Sequence, residues 1–288
     1  MTNVNGTRIE RLDEAADKIV ATSSLSTELF ALVDELNAQP DLGRALTDPA
    51  LEAEGRGKLA GALLGKRLSG PTVDFVVQAL ALDWASGREF TSGLGRQAIR
   101  IALRSTDADQ VRTELNVVRE TLATHDELRV AMAGHTAGEE ARAKLVDQLL
   151  GDKVDPVTAM LVGRAVRDGE HVQDALWSCM ELASQVLGRI LARVTVARPL
   201  PAYQMAELGE QLRRLYGQPV DMAEHVDPSV LGGVRVELGD DVIDGTVATK
   251  LSEAQRELAR APWPTSYPRP LPYRDNMRQP GRQTPWLN

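Results

Sequence analysis

Three carboxylates stand within five residues of one another near the C-terminal end of the chain, at Asp240, Asp241 and Asp244. Carboxylates that lie close together can act as a general acid and a general base, so this cluster is a candidate catalytic site. The same residues are also typical of tight turns, because an aspartate side chain accepts hydrogen bonds from nearby backbone amides. The flanking Gly239 and Gly245 favour the turn interpretation. A small enzyme that uses these carboxylates stays open as an alternative.

Two glycine-containing segments were compared with nucleotide-binding loops. Segment 61–67, GALLGKR, has three residues between its glycines where a phosphate-binding loop has four, and Arg67 stands where a hydroxyl would bind magnesium. Segment 93–98, GLGRQA, is similar to part of a dinucleotide-binding fingerprint, but no predicted strand precedes it. Both segments are predicted to be helix ends or starts, and no cofactor is expected.

The histidines and the cysteine give no sign of a metal site. The four histidines have no ligand spacing among themselves: His125, His135, His171 and His225. Cys179 is the only cysteine, so the chain can form no internal disulfide, and a reducing compartment is expected. Its neighbours Leu176, Met180 and Leu182 share an apolar helical pattern, which predicts a buried structural thiol.

The composition is that of a globular, helix-rich protein. The 288 residues are 43% hydrophobic and 26% charged, with only 4% aromatic residues. The formal net charge is -8, and the tail after Arg260 is net +3, so the rest of the chain is near -11. This charge argues against nucleic acid as a main partner. No apolar run approaches the roughly 20 residues that span a bilayer, so any membrane association is expected to be indirect.

The elements that precede the carboxylate cluster repeat. When the sequence is shifted by 86 residues, segment 28–65 falls on segment 114–151 with 12 identities in 38 positions and no gap. A one-residue slip then matches Pro71 with Pro156. The identical pairs are Glu28/Glu114, Leu29/Leu115, Leu36/Leu122, Leu42/Leu128, Ala45/Ala131, Glu54/Glu140, Arg56/Arg142, Lys58/Lys144, Leu59/Leu145, Leu63/Leu149, Leu64/Leu150 and Gly65/Gly151. The shared proline and glycine positions favour a duplication over similar helical composition.

Each copy is predicted to be a helical bundle, because apolar residues recur at intervals of three and four. We predict an N-terminal bundle over residues 1–105 and a second helical repeat over 106–191. Matched leucines such as Leu63 and Leu149 are expected at equivalent core positions. A long helix is predicted from about residue 170 to residue 190.

The pattern changes at residue 192 to that of a small α/β domain, predicted over 192–260. Residues 193–197, RVTVA, alternate like a strand, and a helix with apolar residues on one side follows up to Gly217. A second strand is predicted over 220–226, then a hairpin over 234–243, and finally a helix that begins near Val247. The Pro-rich segment 261–288 is expected to be a disordered, dispensable tail.

The hairpin segment also carries a signature that resembles the C-terminal motif of the F-type ATP synthase delta subunit, the family that includes the mitochondrial oligomycin-sensitivity-conferring protein. Thr246 stands where the family often has Ser, and both keep a hydroxyl. The matching residues are Asp227, Pro228, Leu231, Gly232, Gly233, Gly239, Asp240, Ile243, Asp244, Gly245 and Thr246. Most members have one helical domain before this unit, and the extra repeat is similar to actinobacterial delta subunits, some of whose relatives are fused to a membrane helix.

The resemblance implies a function that the residues alone do not. It implies a non-catalytic connector of the peripheral stalk, which joins the catalytic head to the stalk so that rotation is coupled to ATP synthesis. It further implies that the helical region binds the N-terminal helix of the alpha subunit, and that the C-terminal unit binds the C-terminal segment of the b subunit. The implied location is the cytoplasmic side of the cell membrane, reached through the complex. An all-α adaptor of another system remains the alternative from a different class.

Overall fold

The computed structural model describes residues 4–132, 138–168, 171–239 and 241–247. It is mainly helical and ends in a small mixed sheet, which confirms the predicted fold class of two related helical bundles in series followed by an α/β unit with a β-hairpin. The predicted last helix after Val247, the end of the 192–260 domain and the 261–288 tail lie outside the described residues.

The first copy consists of six helices. Three of the N-termini in the helical region are capped by a side chain: Thr22 accepts from the amide of Leu25, Ser86 from that of Glu89, and Asp107 from those of the residues that follow it. The bounds are α1 (Val4–Asp17), α2 (Ser23–Ala38), α3 (Pro40–Leu46), α4 (Ala53–Leu64), α5 (Gly70–Leu80) and α6 (Gly87–Arg104).

The second copy repeats helices α2 to α6 in the same order and with nearly the same lengths. Helix α4 and helix α9 differ in position by the 86 residues of the sequence repeat. The bounds are α7 (Ala108–Thr124), α8 (Asp126–Met132), α9 (Glu139–Leu150), α10 (Pro156–Asp168) and α11 (Val172–Val186), with a 3-10 turn at Gly151–Lys153. Helix α11 is shorter than predicted, because the chain turns at Gly188 with φ +69° before the first strand.

The most specific contact that repeats in both copies is made by a glutamate, Glu28 near the start of α2 and Glu114 near the start of α7. Glu28 Oε2 accepts hydrogen bonds from the Ser69 amide (2.9 Å) and from Thr72 Oγ1 (2.5 Å). Glu114 Oε2 accepts from the Asp155 amide (2.9 Å) and from Thr158 Oγ1 (2.5 Å). The carboxylate thus accepts hydrogen bonds from backbone and hydroxyl donors at the start of α5 in the first copy and of α10 in the second. The duplication inferred from identities is therefore repeated in three-dimensional contacts.

The predicted burial is confirmed for the matched pairs Leu29/Leu115 and Leu36/Leu122 but is wrong for Leu63 and Leu149. Leu63 is 45% exposed and Leu149 is 38% exposed, although the two residues occupy the same position in α4 and α9. In both copies the next residue, Leu64 or Leu150, points inward and packs against the core instead. Two consecutive helix positions are about 100° apart, so they cannot both face the centre of a bundle. The pair is equivalent, as the repeat requires, but it lies on the surface.

Helix α6 belongs to both copies. It packs against α2 and α3 of the first copy and against α11 and α10 of the second. Helix α1 contacts α5 and α6 in the same way that α6 contacts α10 and α11, so α6 acts as the opening helix of the second copy. Leu94, Ala98 and Ile101 are completely buried, and one apolar core runs through both copies. The division of the helical region after residue 105 remains a prediction.

The α/β unit contains β1 (Ile190–Val196), α12 (Ala202–Tyr216), β2 (Val220–Val226), β3 (Val234–Leu238) and β4 (Asp241–Asp244). The strand order is β2-β1-β3-β4; β1 and β2 are parallel, with α12 as their crossover, and the other pairs are antiparallel. Leu212 of α12 packs with Val194 and Val236 on one face of the sheet. Gly217, at φ +73°, ends α12 as the sequence indicates. The predicted strands and hairpin are confirmed.

The helical region and the sheet are joined by polar contacts and by the stacking of an arginine on a tryptophan. The carboxylate of Asp221 on β2 accepts from Ser184 Oγ (2.9 Å) and lies 3.3 Å from Arg189 Nη1 and 3.4 Å from Arg112 Nε. The guanidinium of Arg193 on β1 lies 4.3 Å from the ring centroid of Trp177 on α11. These contacts attach the sheet to the second helical copy.

The repeated glutamates predict a pH-dependent contribution to stability. Hydrogen bonds, from Thr72 first, hold the pKa of Glu28 below its usual value; for Glu114, burial opposes the shift but hydrogen bonds from Thr158, Gln110 and the Asp155 amide outweigh it. A lowered pKa in the folded state stabilises the fold above the unfolded-state pKa, and this contribution disappears as the carboxylate is protonated.

We therefore expect Glu28→Gln and Glu114→Gln each to lower the free energy of unfolding at neutral pH by about 1 kcal/mol. The difference from wild type should shrink as the pH falls from about 5 to about 3. Urea unfolding at several pH values measures it. Glu54→Gln, which removes an exposed carboxylate paired only with Lys58 in its own helix, is the control. A deficit that is the same at all pH values would contradict the carboxylate explanation.

Candidate partner-binding site

Most of the signature residues lie in the segments that flank β3 and β4, next to the end of β2. Asp227 and Pro228 follow β2, Gly232 and Gly233 precede β3, Gly239 lies in the hairpin turn, and Ile243 and Asp244 end β4. The structure thus brings most of the signature together at one end of the sheet and leaves Gly239 at the other. Asp240 lies outside the described residues.

Gly233 is required by both its backbone angle and its surroundings. Its φ is +88°, and a Cβ atom at this position would lie 2.5 Å from the Gly245 carbonyl oxygen and 2.8 Å from Thr246 Cα. The Gly245 amide donates to the Val234 carbonyl at 2.9 Å, and the Val247 amide donates to the Gly232 carbonyl at 3.0 Å. Two chain segments therefore pass each other here at backbone contact distance. Glycine is the residue that adopts such a positive φ without strain.

The signature aspartates stabilise loops rather than perform chemistry. Asp227 Oδ1 accepts from the Ser229 amide at 2.9 Å, and hydrogen bonds from Ser229 lower the pKa of Asp227. Asp244 Oδ1 accepts from the Thr246 amide at 2.9 Å. Asp241 is the acceptor for the Tyr216 hydroxyl at 3.3 Å. Contacts with neighbouring amides are turn chemistry, which is the interpretation that the sequence favours.

An open cleft of about 740 Å³ adjoins the signature. Its walls come from the end of β1, the start of α12 and the loop between β2 and β3. Pro228, Leu231, Gly232 and Gly233 line one side, and Arg198 lines the other. Leu231 is 78% exposed. An exposed leucine beside a concave surface of mixed polar and apolar character is typical of a protein-binding site.

A second candidate surface is an apolar groove of about 420 Å³ on the second helical copy. We call it the α7–α9 groove; Val117 and Thr121 on α7 face Leu149 on α9 and Lys153 in the 3-10 turn. Val117 is 57% exposed. The groove is therefore wide enough and apolar enough to receive the face of an amphipathic helix.

The first copy closes the equivalent surface. Glu35 and Arg67 stand where the second copy has Thr121 and Lys153, and they form an ion pair of 2.6 Å. Ala31 takes the place of Val117. The groove was not predicted from the sequence, although the residue differences that mark it are visible when the two copies are aligned at the 86-residue shift. At these exposed positions one copy has an ion pair and the other has apolar surface. Such a difference indicates that the two surfaces do not have the same function.

The described residues were also predicted to lack a metal site, a nucleotide-binding loop and a reactive thiol. Across the described ranges, no group of three or more histidine, cysteine or acidic side chains could hold a metal ion. Gly61 lies inside α4 and Gly65 directly after it, so segment 61–67 is a helix end as predicted, whereas segment 93–98 lies in the interior of α6 and not in a loop or at a helix start. Cys179 is buried, and burial raises the pKa of its thiol to about 12, which confirms the structural role. None of the described helices is both long and apolar enough to cross a lipid bilayer.

The chain combines a duplicated helical body with a small α/β unit, and each of the two carries an open concave surface. Comparison with known proteins identifies the family. The model of the ATP synthase delta (OSCP) subunit family matches residues 97–258. The chain belongs to this family. It is accordingly a non-catalytic subunit of ATP synthase. The match begins inside α6, at the helix that opens the second copy.

Curated relatives match over most of the chain. An ATP synthase subunit delta of Streptomyces avermitilis is 36% identical over 257 residues, which cover 87% of this chain and 94% of the relative. One from Beutenbergia cavernae is 38% identical over 241 residues, with 82% and 89% covered. A subunit b-delta of a Mycobacterium species is 31% identical over 259 residues, 87% of this chain but 58% of that longer relative.

The similarity to a solved structure is weaker than the similarity to the curated relatives. A chain of the Toxoplasma gondii mitochondrial ATP synthase hexamer aligns with 58% of this chain and 96% of its own length, at 22% identity and a TM-score of 0.38.

The close backbone contact at Gly233 gives a prediction with a matched control. We expect Gly233→Val to destabilise the α/β unit by roughly 1–3 kcal/mol, since a β-branched residue resists φ +88° and its Cβ overlaps a carbonyl oxygen. Gly239→Asn should change little, because its φ is +55°, no atom lies within 4 Å of a Cβ there, and asparagine tolerates this conformation. Hydrogen exchange of β1 and β3 amides measures the difference. Equal effects of the two substitutions would show that the contact seen at Gly233 is not a constraint.

Proposed function

We propose that this chain is the stator connector of an F-type ATP synthase, which links the catalytic head to the b subunit stalk so that rotation is coupled to ATP synthesis. The observation that carries the proposal is the mechanical continuity of the fold. One apolar core runs through both helical copies, and the α/β unit is fastened to the second copy by the Asp221 and Trp177 contacts. A connector that resists torque needs such stiffness between its two attachment points.

The helical region is the proposed attachment point for the N-terminal helix of the alpha subunit. An amphipathic helix binds where apolar side chains line a groove between helices. The α7–α9 groove, with Val117 and Leu149 exposed along it, has that chemistry. The surface of the first copy is an alternative, so the two copies are to be separated by experiment.

The α/β unit is the proposed attachment point for the C-terminal segment of the b subunit. The cleft beside Leu231 supports this proposal, since it combines exposed apolar surface with the signature glycines. Arg198 on the opposite wall provides a cation for an acidic or carboxyl-terminal group of the bound segment. Through these two contacts the chain would sit on the cytoplasmic side of the cell membrane as a peripheral part of the complex.

The division of partners predicts two separate footprints on the full chain. We expect a peptide with the sequence of the alpha subunit's N-terminal helix to slow hydrogen exchange only within residues 4–186. A peptide from the C-terminal segment of b should slow exchange only within 190–247. Protection of β1–β4 by the alpha peptide and of α7–α11 by the b peptide would reverse the assignment. The same experiment shows which helical copy is used.

The Gly233→Val variant tests the assignment a second way. It should bind the alpha peptide with wild-type affinity and lose b-peptide affinity by about 5-fold to 150-fold, the range that a distortion of about 1–3 kcal/mol at the cleft corresponds to. Isothermal titration measures both affinities. The Gly239→Asn variant should bind both peptides normally. Loss of alpha binding with b binding kept would contradict the proposed division.

A further inference from the structure

A cluster of charged and aromatic side chains joins the two helical copies on the surface. The guanidinium of Arg164 on α10 faces the carboxylate of Asp34 on α2 with two parallel contacts, Nη2–Oδ1 at 2.7 Å and Nη1–Oδ2 at 3.1 Å. Arg167 Nη1 lies 3.3 Å from Asp34 Oδ2. The Arg164 guanidinium also stacks over the ring of Phe30, 4.3 Å from its centroid. A two-pronged arginine–carboxylate pair is more directional than a single contact, and the stacking fixes the plane of the guanidinium.

This cluster is not part of the repeated architecture. At the 86-residue shift, Phe30 and Asp34 of α2 correspond to Asn116 and Glu120 of α7, which hydrogen-bond to each other at 2.7 Å. Arg164 and Arg167 of α10 correspond to Gln78 and Ala81 of the first copy. Asp34 is the only one of the four whose equivalent has the same chemistry, and that carboxylate, Glu120, is paired within its own helix instead of across the copies. Their chemistry therefore matches the contact between copies and not the interior of either one.

A crevice lies directly behind the cluster. It has a volume of about 310 Å³ and runs between α2 and α6 on one side and α10 and α11 on the other. Phe30, Asp34, Arg164 and Cys179 all line it, and the Cys179 side chain is buried, with 5% of its area exposed. Any rotation of one copy away from the other that opens this crevice must separate Asp34 from Arg164.

We propose that Asp34, Arg164, Arg167 and Phe30 form a latch that holds the two helical copies at a fixed angle and limits how far the crevice opens. The latch would make the duplicated helical region act as one lever instead of two bodies that rock about α6. The helices of each copy contact one another elsewhere, so the latch controls the angle between copies and not the folding of either. This inference does not depend on which partner each region binds.

The single cysteine makes the latch measurable on the full chain. The Cys179 thiol can react with 5,5′-dithiobis(2-nitrobenzoate) only when the crevice opens, and no other thiol contributes to the signal. We expect Asp34→Asn and Arg164→Gln each to raise the reaction rate about fivefold, the factor for an ion-pair coupling near the upper end of those measured at surfaces. The rate of the double variant should stay below the product of the two single effects, because both substitutions remove the Asp34–Arg164 pair, while Asp34→Asn alone also loses Arg167 and Arg164→Gln alone also loses the stacking on Phe30.

Two controls separate opening of the latch from general loss of stability. Glu54→Gln breaks an exposed ion pair within α4 and should leave the Cys179 rate unchanged. The rate in the latch variants should depend only weakly on low urea concentrations, as local opening exposes little surface. A wild-type rate in Asp34→Asn overturns the proposal, as do additive effects in the double variant. A rate that follows global unfolding in urea overturns it too.

Discussion

The structure depends on the burial of α6 from two sides. An amphipathic helix on the surface of a bundle has one apolar face, but ten of the eighteen residues of α6 are buried, and they cover more than one face. Helix α2 packs on one side of it and α11 on the other. Because the same helix completes the first copy and opens the second, neither copy has a core that closes without it. The two copies therefore share one apolar core along α6.

The two copies show which parts of a duplicated bundle are constrained. The polar contact at the start of α5 and of α10 is kept: the matching hydrogen bonds of Glu28 and Glu114 have the same lengths to the nearest tenth of an ångström. Each half-buried carboxylate satisfies several donors, and a substitution would leave those donors unpaired. The exposed positions differ instead. Glu35 and Ala31 of the first copy stand where the second copy has Thr121 and Val117, and the second copy carries the open groove there.

The junction between the helical region and the sheet explains how a small α/β unit can serve a mechanical function. Arg119 is buried between Trp177 and the backbone of β2, where its Nη2 lies 3.4 Å from the Glu224 carbonyl oxygen, and burial lowers the pKa of its guanidinium. Together with Asp221 it ties the inner edge of the sheet to α7 and α11. The signature cleft lies beyond this junction, toward the hairpin. A force applied at the cleft would reach the helices through fixed contacts rather than through a linker.

Much of the fold could be predicted from residue types and periods alone. Alternation along 193–197 and 234–238, the glycine that ends α12 and the proline that opens α10 act locally, so the sequence determined these elements and the repeat itself. The signature glycines were also readable, because a positive φ is a property of a single residue. The exposure of Leu63, the sharing of α6, the α7–α9 groove and the pairing of Asp34 with Arg164 were not. Each of these depends on which helix faces lie against one another. Only the tertiary structure decided that, because two bundles of the same amphipathic helices can be packed together in more than one way.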